Sequence, residues 1–234
     1  FILFSCKPGD KKTAPETIFT ILEERETGID FSNKLTPTPA LNMFKYMYFY
    51  NGAGVGAGDF NKDGLIDLFF ASNQLQNKLY QNTGNLEFKD ITIEAAVPQD
   101  TGWSTGVSVI DINNDGWLDL YICRVGNYES LQNRNQLLIN QGTDRNGTIH
   151  FINKAKEYGL DFSGFSTQAA FLDYDQDGDL DMYLMNHSLR FNGTISERST
   201  YANTFDSLSG DRFYRNDNNR FKEVTKSTGI NSSI

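Results

Sequence analysis

Short apolar stretches recur along this chain, and each is bordered by polar residues rich in Asp, Asn and Gly. Three of them, residues 68–71, 120–123 and 182–185, follow the same kind of polar loop. Runs of four residues rich in Leu, Ile, Phe and Tyr are typical of buried strands and are too short for helices. Stretches of small residues precede the loops, at 54–58, 106–110 and 167–172. Each loop is therefore predicted to join two strands.

Two further strands are predicted in each repeat. The third covers residues 77–82, 135–140 and 211–216, and the fourth covers residues 88–92, 151–155 and 221–225. The first residues of successive loops, Asp59, Asp111 and Asp173, are 52 and 62 residues apart. Four short strands every 50 to 60 residues is the repeat of a β-propeller blade. We predict an all-β fold, a partial β-propeller of about three four-stranded blades at 51–97, 98–163 and 164–234.

The N-terminal segment, residues 18–50, contains an aromatic stretch at 44–50 that we predict to be a strand. Three blades are fewer than a closed propeller needs, so we expect an open arc and the N-terminal part of a longer protein. The strand at 44–50 would then pair with the remaining blades of the same chain to close the ring. Insertions at 127–134 and 188–210, between second and third strands, indicate the recognition face.

The polar loops have the pattern of a calcium site. Asp or Asn stands at positions 1, 3 and 5, Gly at position 6 and Asp at position 9. Side chains at alternate positions of a tight turn can direct their oxygens to one cation, and position 7 can contribute its backbone carbonyl. About three Ca²⁺ ions are predicted. The proposed ligands are Asp59, Asn61, Asp63, Leu65 and Asp67; Asp111, Asn113, Asp115, Trp117 and Asp119; and Asp173, Asp175, Asp177, Asp179 and Asp181.

EF-hands and ordinary turns have similar compositions to these loops. An EF-hand needs Glu at position 12 and flanking helices, but position 12 is Phe70, Ile122 or Leu184 here. Ordinary Asp/Asn/Gly turns remain an alternative for any single loop. Turn chemistry does not require Asp at position 9, so three matching loops favour calcium.

The net charge of −9 argues against a nucleic-acid surface, which would be basic. The three loops contain 11 Asp, and bound divalent ions would neutralise much of that charge. We therefore interpret the acidity as a requirement for metal.

The N-terminus carries a possible lipidation site at Cys6. Residues 1–5 resemble the remnant of a signal peptide that leads into a bacterial lipobox, with Leu3 and Ser5 at the expected positions. On this interpretation Cys6 is lipidated and residues 6–17 are a tether; the alternative is an arbitrary chain start. The membrane would be contacted only through that lipid. Cys123, within an apolar strand, is predicted to be buried and unreactive.

Catalytic chemistry is not predicted. The histidines, His150 and His187, lie in no recognisable catalytic pattern, and the Asp residues are concentrated in the loops. The glycine-rich stretch 52–58 precedes a loop and strand rather than a helix, so it does not fit a dinucleotide site.

The phrases 50–64 (YNGAGVGAGDFNKDG) and 77–82 (NKLYQN) resemble the FG-GAP/VCBS repeats of integrin α subunits, cartilage acidic protein and bacterial ASPIC/UnbV proteins. The resemblance covers residues 27 to the end and implies calcium in each loop and a seven-bladed ring. Asn61 and Asn113 depart from the Asp of the family, and no ASPIC/UnbV segment is present.

From this resemblance we expect a calcium-stabilised, non-catalytic module of a bacterial cell-envelope lipoprotein, either lipid-anchored or secreted. It would bind a protein or glycan partner through the loops between blades. The alternative is the propeller portion of a glycan-acting or phosphoesterase enzyme whose catalytic residues lie elsewhere.

Overall fold

The structure, a computed structural model, describes residues 19–188 and 205–230. Cys6, the tether and the signal-peptide remnant lie outside these ranges. The strands are β1 Val55–Gly58, β2 Asp67–Phe70, β3 Lys78–Gly84, β4 Glu87–Asp90, β5 Trp103–Ile110, β6 Asp119–Val125, β7 Gln136–Thr143, β8 Ile149–Asn153, β9 Ser166–Leu172, β10 Asp181–Asn186, β11 Arg212–Asn216 and β12 Phe221–Glu223. Two single-turn helices are α1 Glu24–Thr27 and α2 Ala155–Tyr158.

The strands form three separate four-stranded antiparallel sheets, called sheets 1, 2 and 3 in chain order. Each is a meander, in the orders β1-β2-β3-β4, β5-β6-β7-β8 and β9-β10-β11-β12. The first strands lie side by side: the Gly54 N–H donates to the Thr105 carbonyl at 2.5 Å, and the Thr105 hydroxyl donates to the Ser166 carbonyl at 2.7 Å. This confirms the prediction of an all-β, partial propeller.

The apolar core lies between the sheets. Phe60, Phe69 and Leu79 of the first repeat pack against Leu120 and Ile122 of sheet 2. The other face of sheet 2 packs against sheet 3, and the residues at that contact include Tyr121, Cys123, Leu137, Met182 and Leu184. Sheet 2 is covered on both faces, and its strand β6 is buried along its whole length. Consecutive β6 residues therefore contact different neighbouring sheets.

The prediction of a strand at 44–50 is wrong. These residues form successive turns, in which the Tyr46 N–H donates to the Asn42 carbonyl at 2.8 Å and the Phe49 N–H to the Tyr46 carbonyl at 3.0 Å. Because Tyr46 and Phe49 are three residues apart, their side chains lie on the same side of these turns. Both rings pack against Trp103, with centroid distances of 5.2 and 5.3 Å. The segment packs across the sheets and forms no strand with which a further blade could pair.

The outer face of sheet 1 is covered by an earlier part of the N-terminal segment. The Phe31 ring stacks on Phe70 of β2 with centroids 4.9 Å apart, and the Tyr80 hydroxyl of β3 donates to the Asp30 carboxylate. None of the helices in the two described ranges is long and apolar enough to cross a membrane. Cys123 is buried as predicted, and burial raises the pKa of its thiol well above the ordinary value.

Candidate metal centre

The three Asp-rich loops connect the first and second strands of each sheet, so all three lie at the same end of the fold. They share one backbone geometry. The residue at position 4 has a positive φ in each loop (Lys62 61°, Asn114 56°, Gln176 63°), and so does the glycine at position 6 (Gly64 87°, Gly116 84°, Gly178 97°). Left-handed conformations at both positions fold each loop back on itself. The glycine predicted from the sequence is therefore required by the backbone.

The third loop brings three carboxylates together. One oxygen each of Asp173, Asp175 and Asp177 lies within 4.8 Å of the others, and all three residues are exposed. Calcium binds oxygens at roughly 2.3–2.6 Å, so two ligands of one ion are at most about 5 Å apart. The donor set and spacing therefore fit a hard divalent cation, which would also relieve the repulsion between the carboxylates.

Loops 1 and 2 replace the middle carboxylate by an amide, and this changes the loop interior. The Asn61 side-chain amide donates to Asp63 Oδ2 at 2.8 Å, while the Asp63 N–H donates to Asn61 Oδ1 at 3.1 Å. Asn113 and Asp115 repeat the arrangement at 2.8 and 3.2 Å. In both loops the Asn side chain at position 3 thus donates a hydrogen bond to the carboxylate at position 5, which gives that carboxylate a partner without an ion. The structure thus distinguishes a triply acidic loop 3 from two less acidic loops.

Position 1 holds the turn in shape. The Asp59 carboxylate accepts hydrogen bonds from the N–H groups of Asp63 at 3.1 Å and Gly64 at 2.9 Å. Asp111 and Asp173 accept the equivalent pairs in their own loops. These bonds fix the position-1 carboxylate beside the position-5 residue, so the ligand group is preorganised by the backbone.

Position 9 has a role that the sequence did not reveal. Asp67, Asp119 and Asp181 are fully buried. Each accepts an N–H from position 2 of its own loop, at 3.0–3.1 Å, and a second N–H from the last Asn of the third strand, at 2.7–2.9 Å. Burial raises the pKa of Asp67 to about 6 and of Asp119 to about 7, although these hydrogen bonds lower it. Burial likewise raises the pKa of Asp181. These residues join loop to sheet, and their role as ligands stays a prediction.

The partners of position 9 were missed as functional residues. Asn82, Asn140 and Asn216 each donate their side-chain amide to the carbonyl at position 8 of the loop, at 3.1–3.2 Å. Each loop is thus held to the third strand of its sheet by two adjacent hydrogen bonds. The signal was present in the sequence, because every third-strand phrase ends in Asn.

Position 7 differs between the loops, as its predicted backbone role allows. Leu65, Trp117 and Asp179 are all half-buried. Lys62 of loop 1 lies 4.0 Å from the centre of the Trp117 ring of loop 2, so neighbouring loops touch. The Asp179 side chain accepts the Asn218 N–H at 3.3 Å. Loops 1 and 2 form a continuous surface at this end of the fold.

The histidines lie away from the loops. His187 has Tyr46 Oη 3.1 Å from Nε2 and Thr167 Oγ1 3.1 Å from Nδ1. Burial lowers its pKa to about 4, so the ring is neutral at pH 7. His150 is exposed, with Nε2 3.5 Å from Asp144 Oδ2.

Parts of this sequence are similar to known proteins. Residues 59–122, which include loops 1 and 2, match the FG-GAP-like repeat family. Cartilage acidic protein 1 from Xenopus tropicalis is 27% identical over 150 residues, which cover 64% of this chain. The chain spans about a fifth of the length of that relative (21%). Residues 59–122 are therefore similar to an FG-GAP-like repeat, and the three sheets of the described residues share one construction.

Proposed function

We propose that this chain is a calcium-stabilised, non-catalytic binding module. Calcium would be held by the carboxylates and amide oxygens at positions 1, 3 and 5 of each loop, with position 7 contributing its carbonyl. Bound ions would neutralise the loops and strengthen the attachment of each loop to its sheet, because an ion that binds only the folded state stabilises it by mass action.

The observation that carries the proposal is the convergence of Asp173, Asp175 and Asp177 in loop 3. These carboxylates are exposed and none of them forms a salt bridge with a described residue; Arg215, which attracts Asp175 electrostatically, is itself paired with Asp217. Three carboxylates at this spacing raise the energy of the metal-free loop. The equivalent turns in loops 1 and 2 support weaker sites of the same kind.

The calcium proposal is tested by titration calorimetry on metal-stripped protein. We expect calcium binding in the roughly 10⁻⁴–10⁻³ M range of extracellular modules, or tighter, with magnesium bound more weakly. A chain that binds no calcium at millimolar concentration would refute the proposal.

We further propose that the partner is a protein or glycan at the bacterial cell envelope, to which Cys6 would anchor the chain. The support is the resemblance of residues 1–6 to a lipobox and the net charge of −9, which disfavours nucleic acid. Metabolic labelling with a palmitate analogue, compared between the wild type and Cys6→Ser, tests the anchor. An array of glycans and envelope proteins, probed with and without calcium, tests the partner.

A further inference from the structure

A cavity of about 310 Å³ lies at the end of the fold opposite the metal loops. It is an open recess bordered by the N-terminal segment and by the starts of β1, β5 and β9, the first strand of each sheet. Its lining includes Tyr46, Tyr48, Asn51, Trp103, Gln168 and His187. The volume is at the lower end of the range of small-molecule sites, roughly 300–1,000 Å³. All three repeats contribute to it, so the cavity is a product of the assembled fold.

The cavity offers no charge to a ligand. None of the described residues that line it is Asp, Glu, Lys or Arg, and burial keeps His187 neutral at pH 7 by lowering its pKa to about 4. A phosphate, carboxylate or ammonium group that entered would lose hydration without gaining an ionic partner. The lining therefore favours a neutral ligand.

The walls combine aromatic rings with directional polar groups. The half-buried Tyr48 ring contacts His187 edge-on with centroids 4.4 Å apart, while the fully buried rings of Tyr46 and Trp103 contact each other edge-on at 5.2 Å. The contacts of His187 with Tyr46 and Thr167 hold this wall in one arrangement. A rigid aromatic surface packs against the C–H face of a sugar ring, whose hydroxyls need hydrogen-bond partners nearby.

Such partners are available. The Tyr48 hydroxyl and the Asn51 side chain make no hydrogen bond to any described residue. Gln168 donates its amide to the Val107 carbonyl and to Ser108 Oγ, both at 3.2 Å, which fixes the side chain. Its Oε1 lies against Gly106, 1.9 Å from where a Cβ would be, so only glycine fits there. The cavity thus presents a hydroxyl, an amide and an amide oxygen beside aromatic rings.

We propose that this cavity binds an uncharged saccharide unit of a glycan. The inference rests on the proposed function, because it names the glycan class and its site, but it does not require calcium at the site itself. Tyr48 would contact the ring of the sugar, and Asn51 and Gln168 its hydroxyls.

The test is a fluorescence titration of calcium-loaded Trp117→Phe protein, in which Trp103 is the remaining tryptophan. The probes are methyl glycosides of glucose, galactose, mannose and N-acetylglucosamine, with their neutral disaccharides. At least one is expected to give a saturable change that is insensitive to salt. Tyr48→Ala and Gln168→Ala should each weaken binding about tenfold, the loss equivalent to one good contact.

Controls separate this inference from the calcium proposal. Glu87→Gln, an exposed change on β4, should leave the titration unchanged, and thermal melts should show that both cavity variants fold. Calcium binding without a response to any neutral probe would overturn the saccharide site alone. Preference for methyl glucuronide or sialyllactose would also overturn it, as would affinities that neither cavity variant alters. Loss of calcium binding in the wild type would instead refute the proposed function.

Discussion

The side-chain amide of Asn140 donates a hydrogen bond of 2.9 Å to the backbone carbonyl of Phe60. Asn140 lies in the third strand of sheet 2, whereas Phe60 is position 2 of the loop in the preceding repeat. The same amide also donates to the Leu118 carbonyl of its own sheet at 3.2 Å. One buried side chain therefore links loop 1, loop 2 and sheet 2, so loop geometry and sheet packing depend on each other.

Removal of this link should destabilise the protein more than removal of its counterpart in sheet 1. We expect Asn140→Ala to lower the free energy of unfolding by about 2–3 kcal/mol, since buried carbonyls lose their donor. Asn82→Ala should cost about 1–2 kcal/mol, because among the described residues the Asn82 NH2 group donates only to the Ile66 carbonyl of its own repeat. Urea denaturation of both variants makes the comparison, and equal losses would contradict the role of the inter-sheet bond.

The residues at position 2 of loops 1 and 3 provide a second matched pair of variants. Phe60 is fully buried between sheets 1 and 2, with its ring 5.9 Å from that of Phe151. Tyr174, at the same position of loop 3, is 41% exposed and contacts Phe213 at 4.6 Å. Phe60→Ala should cost about 3–5 kcal/mol, whereas Tyr174→Ala should cost about 1 kcal/mol. Chemical denaturation measures both, and a larger loss for Tyr174→Ala would mean that this side chain is covered in solution.

Calcium removal should lower the melting temperature, because the metal-free carboxylates of loop 3 repel one another. Asp177→Asn should abolish most of the calcium-dependent part of the shift, since loop 3 is the most acidic site. Glu87→Gln makes the same charge change on an exposed strand and should leave the calcium response intact. Differential scanning calorimetry with EDTA and with calcium measures these shifts. A melt that EDTA does not change would rule out calcium in the loops.

Trp117 provides a reporter for the second loop, because it stands at position 7 beside the proposed ligands Asp111 and Asp115. Terbium bound in loop 2 should emit when tryptophan is excited, and calcium should displace it. Trp117→Phe should remove this emission but leave calcium affinity within about twofold, since position 7 contributes only its carbonyl. Asp115→Asn should weaken the binding of both terbium and calcium. Full emission from Trp117→Phe would place the terbium elsewhere.

Acid should weaken the packing around His187. Its pKa in the folded chain is about 4, against an ordinary value of 6.5, so the unfolded chain binds more protons between these values. The stability that this residue contributes is present above pH 6.5 and is lost as the pH falls towards 4, by about 3 kcal/mol. His187→Gln should flatten this part of the pH profile in urea denaturation.

Much of the fold could be predicted because its signals are local. The Asp and Gly of the loops, the apolar second strands and the spacing of the repeats each depend on neighbouring residues, and the described residues contain twelve strands within the predicted repeats. The turns at 44–50 could not be predicted in this way. Their aromatic composition suits a strand, and only the distant Trp103 determines which rings are buried.

The metal loops and the cavity also differ in how far apart their residues lie in the sequence. The loop ligands are close in sequence, so their pattern is visible without a structure. The saccharide cavity combines Tyr48, Trp103 and His187, which belong to three different parts of the chain and come together only by stacking of the sheets. The hydrogen bonds by which Asp67, Asp119 and Asp181 join loop to sheet also depend on distant partners, the Asn residues of the third strands.

Successive side chains of β6 pack against two different sheets, and this limits how the sequence of this chain can change during evolution. Ile122 packs towards sheet 1 and Tyr121 towards sheet 3, so a substitution at either position affects one sheet contact and leaves the other. An insertion or deletion within β6 would exchange the two sets of side chains at once and disrupt both contacts. Changes in length are therefore expected to accumulate in connections such as 127–134, while β6 keeps its length and varies only by replacement.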